Sequence, residues 1–377
     1  MELHRRVCAT IDLDAVYDNL KQLSQAVTKD TKVMAIIKAD GYGHGAVPVA
    51  RRLEREETVW GFGVAAIEEA MELRSAKITK PILLLAFTFP EDYKSVVANN
   101  LTATIFNFAQ AEALSEIALE MGKRVDIHLA IDTGMNRIGF ADIEESIREI
   151  ALIFTLPNIN VAGIFTHFAR ADELEHEPTK KQIKRFGAFA KELSKKGINI
   201  PLHHCSNSAA IMQFAEANMN VVRAGISIYG LYPSKEMMEL EMRLTPAMAI
   251  TSHITHLKVV DEGEAISYGG IHVTKKKTKV ATIPVGYADG YARSLSNKGY
   301  ILVKGQKAPI LGRICMDQFM VDVSNITDVK ELDEVTLLGK SVNEVITMEE
   351  LGELSGRFNY EFACGIGKRV PRVYKEG

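Results

Sequence analysis

Eight short β-branched runs alternate with amphipathic segments over roughly the first 230 residues, and Gly- and Asp-punctuated strand patterns fill the remainder. Together these predict an α/β chain, an N-terminal (β/α)8 barrel of the TIM type followed by a mostly β C-terminal domain. The strand runs are residues 32–37, 61–65, 81–86, 102–106, 125–131, 160–166, 202–205 and 220–223. Most are continuously apolar, as parallel strands covered on both faces should be. The helical segments between them include 46–55, 67–75, 108–121, 143–154 and 180–195. In 108–121, Ala111, Leu114, Ile117, Ala118 and Met121 share one stripe, and Glu112, Glu116 and Glu120 take the other side. A doubly wound open sheet is the competing topology, but no GxGxxG opens the first βα unit, so the barrel is favoured.

After Leu244 the pattern changes. Residues 249–260, 265–267, 279–284, 300–303, 308–314, 319–323 and 334–338 read as strands, and 347–355 as the one good helix. The expected domains are 1–240 and 241–377, with the first ten or so residues as candidates to join the second.

Composition narrows the function. Lys and Arg number 45 against 48 Asp and Glu, a net charge of −3, which offers no electrostatic attraction to nucleic acid or an anionic membrane. The longest dense apolar run, Pro81-Ile-Leu-Leu-Leu-Ala-Phe, falls far short of the ~20 residues a spanning helix needs. Met1-Glu-Leu-His-Arg-Arg-Val leads directly into Ala9-Thr-Ile-Asp-Leu without a signal-peptide core. The 4 cysteines are scattered and form no CxxC pair, so neither a disulfide framework nor a structural metal site is expected. A cytoplasmic protein follows from these features.

Barrel enzymes place their chemistry at the C-terminal ends of the strands. Lys38 ends the first run, in Ile37-Lys-Ala-Asp-Gly-Tyr-Gly-His-Gly, where three glycines hold Tyr42 and His44 in a tight turn. A lone strand-end lysine usually reaches solvent. Here it shares its rim with Arg137 after the fifth run, His167 closing the sixth, Asn207 and Ser208 after the seventh, and Arg223 ending the eighth. Each has a bland explanation alone: a loop cation, a satisfied core histidine, a helix cap, a salt-bridged arginine. The loops after strands 7 and 8, with Ser208 and the Ala224-Gly225-Ile226 turn, are the usual phosphate site of this fold. A lysine in the mouth beside a phosphate cradle points to a phosphorylated aldehyde held by the amine. Pyridoxal 5'-phosphate (PLP) is one such molecule, with Arg223 as candidate partner of its ring nitrogen. A sugar-phosphate aldolase uses a barrel lysine too, and spacing alone leaves both open.

The motifs themselves resemble the alanine racemases, PLP enzymes of fold type III. The resemblance is carried by the Lys38 motif, Asp132-Thr-Gly-Met-Asn-Arg-Ile-Gly, Thr166-His-Phe-Ala, Asn207-Ser-Ala-Ala and Val222-Arg-Ala-Gly-Ile. Further along it includes Ile266-Ser-Tyr-Gly-Gly, Val285-Gly-Tyr-Ala-Asp-Gly-Tyr, Gly312-Arg-Ile-Cys-Met-Asp-Gln and Arg369-Val-Pro-Arg. It implies that Lys38 carries the cofactor and that Tyr268 is the opposing acid/base, reaching the site of the other subunit of a homodimer. It implies phosphate contacts from Tyr42, Ser208, Gly225, Ile226 and Tyr360, a ring-nitrogen contact from Arg223, and ring support from His167 and Asn207. Arg137 and the backbone of Met316 fall to the substrate carboxylate, and Tyr287 to the entrance. The implied activity is racemisation of L- and D-alanine, supplying D-alanine for peptidoglycan.

One departure bears on substrate choice. Many relatives carry a carbamylated lysine two residues before the Asp of Asp-Thr-Gly, orienting the arginine, and here that position is Ala130. A methyl group cannot orient Arg137, which keeps serine or a broader amino-acid range as an alternative substrate. A PLP decarboxylase of the same architecture and a barrel-only PLP carrier are alternatives of other classes. The Tyr268 motif and the β domain weigh against the carrier.

Overall fold

A computed structural model describes residues 6–376. The chain forms two compact units. One comprises Tyr17–Gly41 and Ala46–Leu244; the other comprises Tyr42–Gly45 with the described parts of Met1–Val16 and Thr245–Gly377.

Strand β1 (Val7–Asp12) belongs to the second unit. The first unit holds β2 (Lys32–Ile36), β3 (Val59–Val64), β4 (Ile82–Leu84), β5 (Thr102–Ile105), β6 (Val125–Asp132), β7 (Phe140–Ala141), β8 (Ile159–Phe165), β9 (Leu202–His204) and β10 (Val221–Ala224). Eight of these pair in parallel in the order β10-β2-β3-β4-β5-β6-β8-β9, and the short β7 is added beside β6. Between the ends of that order, Arg223 N–H donates to the Ser206 carbonyl at 2.9 Å and draws the seam together. The result is the expected barrel, each sequence run holding one strand. All four residues of β5 are buried and only Lys32 of β2 is exposed, as helices covering one face and barrel interior filling the other require. The helix Phe108–Glu120 starts where Asn107 Oδ1 accepts from Gln110 N–H at 2.9 Å, satisfying one of its otherwise unpaired first-turn donors.

The second unit is built on one long sheet ordered β12-β15-β18-β17-β16-β19-β11-β1-β21, with β20 beside β19. Its strands are β11 (Met248–His253), β12 (His256–Val260), β13 (Ala265–Ile266), β14 (His272–Val273), β15 (Thr278–Ile283), β16 (Tyr300–Val303), β17 (Gln306–Leu311), β18 (Phe319–Asp322), β19 (Glu334–Ser341), β20 (Glu344–Ile346) and β21 (Arg372–Lys375). Two expectations are corrected here. The run 249–260 is two strands, because Ile254 N–H turns aside to Asp333 O and Thr255 N–H to Thr282 O. A second helix, Asn359–Gly365, joins Met348–Ser355, and its short length and lack of a side-chain cap hide it from periodicity. β1 pairs antiparallel with β11 and parallel with β21, so residues near both ends of the chain are tied into this sheet.

Among the described residues no helix is long and apolar enough to cross a membrane, no group of His, Cys, Asp or Glu is arranged to hold a metal, and all four cysteines are free.

Candidate active site

Lys38 lies just past β2 and is half-buried. The chain then does something the three glycines only partly foretold. Ala39, Asp40, Gly41 and Tyr42 all adopt left-handed dihedrals, with φ of 53, 52, 60 and 51°. For each non-glycine residue this costs about 1–2 kcal/mol. Three interactions offset the cost. Glu69 Oε1 accepts from Ala39 N–H at 2.6 Å, Asp40 Oδ1 accepts from Ala46 N–H at 2.9 Å, and Gly41 N–H donates to Ile37 O at 2.9 Å. Strain of this kind persists only where the surroundings over-determine it, and it is found characteristically at functional sites. Gly43 follows at φ 79°, where an added Cβ would lie 2.4 Å from Ala363 O, so any side chain there would force that backbone aside.

The end of the barrel carries a second cation, buried and without a counter-charge. Arg223 is 4% exposed, and no carboxylate lies within ion-pair distance of it among the described residues. The bland reading of it as a salt-bridged arginine therefore falls. Its Nη1 donates to His204 Nδ1 at 3.0 Å and His204 O at 2.8 Å. Its Nη2 donates to the carbonyls of Thr166 and Cys205 at 2.8 and 2.9 Å, and to His167 Nδ1 at 3.2 Å. Nε makes no hydrogen bond among the described residues. Burial holds the guanidinium down to about 10, still far above neutral pH.

Because arginine only donates, these contacts fix histidine tautomers. His204 Nδ1 must accept, so its proton sits on Nε2 and is donated to His128 Nδ1 at 2.8 Å. His128 in turn carries its proton on Nε2, which is buried without a partner among the described residues. His167 likewise carries its proton on Nε2. All three rings are neutral. Burial, then Arg223, pushes His128 down to about 3, and burial and neighbouring charges hold His204 well below the ordinary range. His167 falls to about 3 through burial, then Arg223, Arg137 and Lys38. The last cause places three of the expected cations around one imidazole.

Each of these histidines has a folded pKa below its unfolded value of about 6.5, so the unfolded chain takes up protons first as pH falls. The stability that depends on their neutrality is complete above pH 6.5 and declines toward pH 3. Urea unfolding of the protein at pH 5 should show a loss of about 2 kcal/mol for each of His128 and His167 relative to pH 7, with His204 adding in the same direction. Equal stabilities at the two pH values would contradict the neutral assignment.

At the ends of β9 and β10, Ser208 Oγ accepts from Gly225 N–H at 2.9 Å and Ser227 N–H at 3.4 Å. That leaves the Ser208 hydrogen to donate elsewhere. Ile226 N–H makes no hydrogen bond among the described residues, and Ser227 Oγ is buried without one. Asn207 Oδ1 is occupied as a helix cap, accepting from Ala210 N–H at 3.0 Å. These groups fit PLP. Unsatisfied donors suit a phosphate, and the unspent Nε of a carboxylate-free arginine suits a ring nitrogen that stays unprotonated.

Arg137 is exposed and makes no hydrogen bond or ion pair among the described residues. Ala130, the departure from the related motif, is buried against the same strand system. Its loop is nonetheless ordered by Asp132 Oδ1, which accepts from Gly134 N–H at 2.9 Å and Asn136 N–H at 3.0 Å. Sequence reading missed His128, His204 and Gln182. Gln182 donates to His167 O at 3.1 Å and Thr133 Oγ1 at 3.2 Å, linking the loops after β6 and β8. His204 stands at the end of a predicted strand, the one signal that marked it in advance.

The second unit contributes separately. Tyr42 and Tyr360 meet edge to face with centroids 6.0 Å apart. Tyr287 and Met316 are on loops joined by backbone bonds, and both side chains are exposed. Tyr268 is 70% exposed, raised on a turn in which Ser267 and Gly269 have φ of 68 and 73°. Ser267 Oγ holds that turn by donating to Arg313 O at 2.6 Å.

Comparison with known proteins extends over nearly the whole chain. The family model described as alanine racemase, N-terminal domain, matches residues 11–233, and that of the C-terminal domain matches 247–374. An alanine racemase of Desulforamulus reducens is 45% identical over 368 residues, 98% of each chain. The solved alanine racemase of Clostridium difficile superposes with a TM-score of 0.95 at 41% identity, covering 99% of this chain and 97% of that one. A histidine racemase from Leuconostoc mesenteroides superposes at 0.91 with 27% identity over 100% and 99% of the two chains. With both domains matched in order and close relatives aligned end to end, the chain belongs to the alanine racemase family.

Proposed function

We infer that the chain interconverts L- and D-alanine with PLP, moving the α-proton between two bases on opposite faces of the substrate, the Lys38 amine and the Tyr268 phenol oxygen. PLP, when bound, draws electrons from the α-carbon and so makes its proton labile. The protein supplies the rest. Lys38, set on its left-handed turn, holds the cofactor and takes or returns a proton at Nζ on one face. Tyr268 Oη does the same on the other. Ser208, Gly225 and Ile226 hold the phosphate, joined in this reading by Tyr42 and Tyr360. Asn207 and His167 flank the ring, and Arg137 and the Met316 amide orient the substrate carboxylate beside Tyr287. The exposure of Tyr268 supports its service to the site of a second subunit in a homodimer. A cytoplasmic enzyme feeding D-alanine to peptidoglycan is the corresponding cellular role.

The observation that carries the reading is Arg223. A guanidinium, which titrates above ~12 in water and is held down to about 10 by burial here, would not pass a proton to a ring nitrogen held by it. Arg223 would thereby restrain the cofactor as an electron sink, which suits moving one proton and suits decarboxylation or transamination poorly. We expect Arg223→Glu to form pyruvate from alanine at several times the wild-type proportion. An unchanged ratio of pyruvate to racemised alanine would contradict the role.

The direct test of function is incubation of purified protein with L-alanine, L-serine and L-lysine, followed by chiral analysis and CO2 measurement. D-alanine as the dominant product supports the reading. D-serine in excess would transfer it to the alternative substrate, and CO2 would transfer it to decarboxylation.

A further inference from the structure

We propose that Arg369, held between Asp289 and Asp317, is a positioning residue that keeps Tyr287 and the Met316 amide at a fixed spacing. The proposal rests on the reading of those two groups as substrate contacts.

Two loops of the β unit are stitched together by their backbones. Tyr287 N–H donates to Cys315 O and Ala288 N–H to Met316 O, both at 3.1 Å. Gly286 permits the approach, since a Cβ there would lie 2.2 Å from Met316 O. The Met316 N–H makes no hydrogen bond among the described residues and is free to donate outward.

Beneath the first loop lies Asp289, only 1% exposed. Its Oδ2 accepts from Gly286 N–H and Arg6 Nη1, both at 3.0 Å. Its Oδ1 accepts from Arg6 Nη2 at 2.8 Å and lies 3.6 Å from Arg369 Nε. Arg369 Nη2 reaches on to Asp317 Oδ1 at 2.7 Å, and Asp317 immediately follows Met316. One line of alternating charge therefore runs from the base of the Tyr287 turn to the residue beside the Met316 amide.

The line has two parts with different duties. Arg6 makes two hydrogen bonds to buried Asp289 and donates to the Pro284 and Arg369 carbonyls at 3.2 and 2.9 Å, securing the turn together with the Gly286 N–H. Arg369 and Asp317 have side chains 48 and 54% exposed, and a pair so solvated adds little to fold stability. What their bond does is add a side-chain tie beyond the two backbone bonds that join the loops, and the cost of a loosened spacing appears in substrate binding.

The test uses the PLP-loaded enzyme. Arg369→Gln and Asp317→Asn should each raise KM for L-alanine about fivefold with kcat within about twofold of wild type. The double variant should be no worse than either single, because both cut the same link. Arg369→Lys should recover most of the loss. Unchanged KM in both singles, additive effects in the double, or a proportional fall in kcat would overturn the proposal. Tyr287→Ala measured alongside separates the two levels. If it raises KM while Arg369→Gln does not, the positioning role fails alone. If neither changes KM, the reading of Tyr287 as a substrate contact fails with it.

Discussion

Lys38→Ala should abolish racemisation, lowering kcat by at least ~10³-fold, because on the proposed function one side chain serves two duties. In the proposed reading its amine is both the attachment point for the cofactor and the proton carrier for one face. No neighbour can substitute. The other cations around His167 are Arg137 and Arg223, and a guanidinium is neither a nucleophile nor a base near neutral pH. The left-handed turn after Lys38 is held by backbone bonds to Glu69 and Asp40, none of which uses the lysine amine. Those two bonds should survive in the variant. The measurement is D-alanine formation from L-alanine, with the folded state checked by thermal unfolding. A residual rate within tenfold of wild type would remove Lys38 from the mechanism.

Tyr268→Phe gives the second large effect, and its signature is direction. With one base per face, loss of the phenol oxygen should slow α-proton exchange from one enantiomer by ~10²–10⁴-fold, and leave wash-in of deuterium from the other much less affected. Equal losses from both enantiomers would argue against two separate bases. The same variant tests whether the phenol serves a second subunit. Mixed in equal amounts and reassembled, Lys38→Ala and Tyr268→Phe should recover about a quarter of wild-type activity, since half of the dimers are hybrids and each hybrid keeps one intact site. No recovery would confine Tyr268 to the site of its own chain.

Much of this was legible in the order of residues. The barrel strands announced themselves because a parallel strand buried on both faces must be apolar throughout, as Thr102–Ile105 is. The rim residues were legible because strand ends are countable once strands are. What stayed hidden depended on pairing distant in sequence. β1 alternates buried with part-exposed residues and β21 is a short run, half of it charged, so neither is distinguished from a loop until β11 and its neighbours are placed beside them. The left-handed dihedrals of Ala39, Asp40 and Tyr42 contradict their intrinsic preferences and are imposed by Glu69 and Asp40. Arg223 was visible at a strand end, but its lack of a carboxylate partner was not. That absence is what the proposed role of Arg223 at the cofactor ring rests on. Its histidine chain through His204 to His128 joins strands β10, β9 and β6, which no local pattern links. Asp289 and Arg369 were quoted only as parts of motifs, since their meaning lies in a contact across 80 residues of chain.

Whether the cofactor attaches at Lys38 can be read directly. The protein, loaded with PLP and treated with borohydride, is digested and its peptides are mapped by mass. The expected result is a single peptide, the one containing Lys38, heavier by the reduced cofactor, with the modification on that side chain. A modification on any other lysine, or an unmodified Lys38 peptide from protein that retains its activity, would contradict the account.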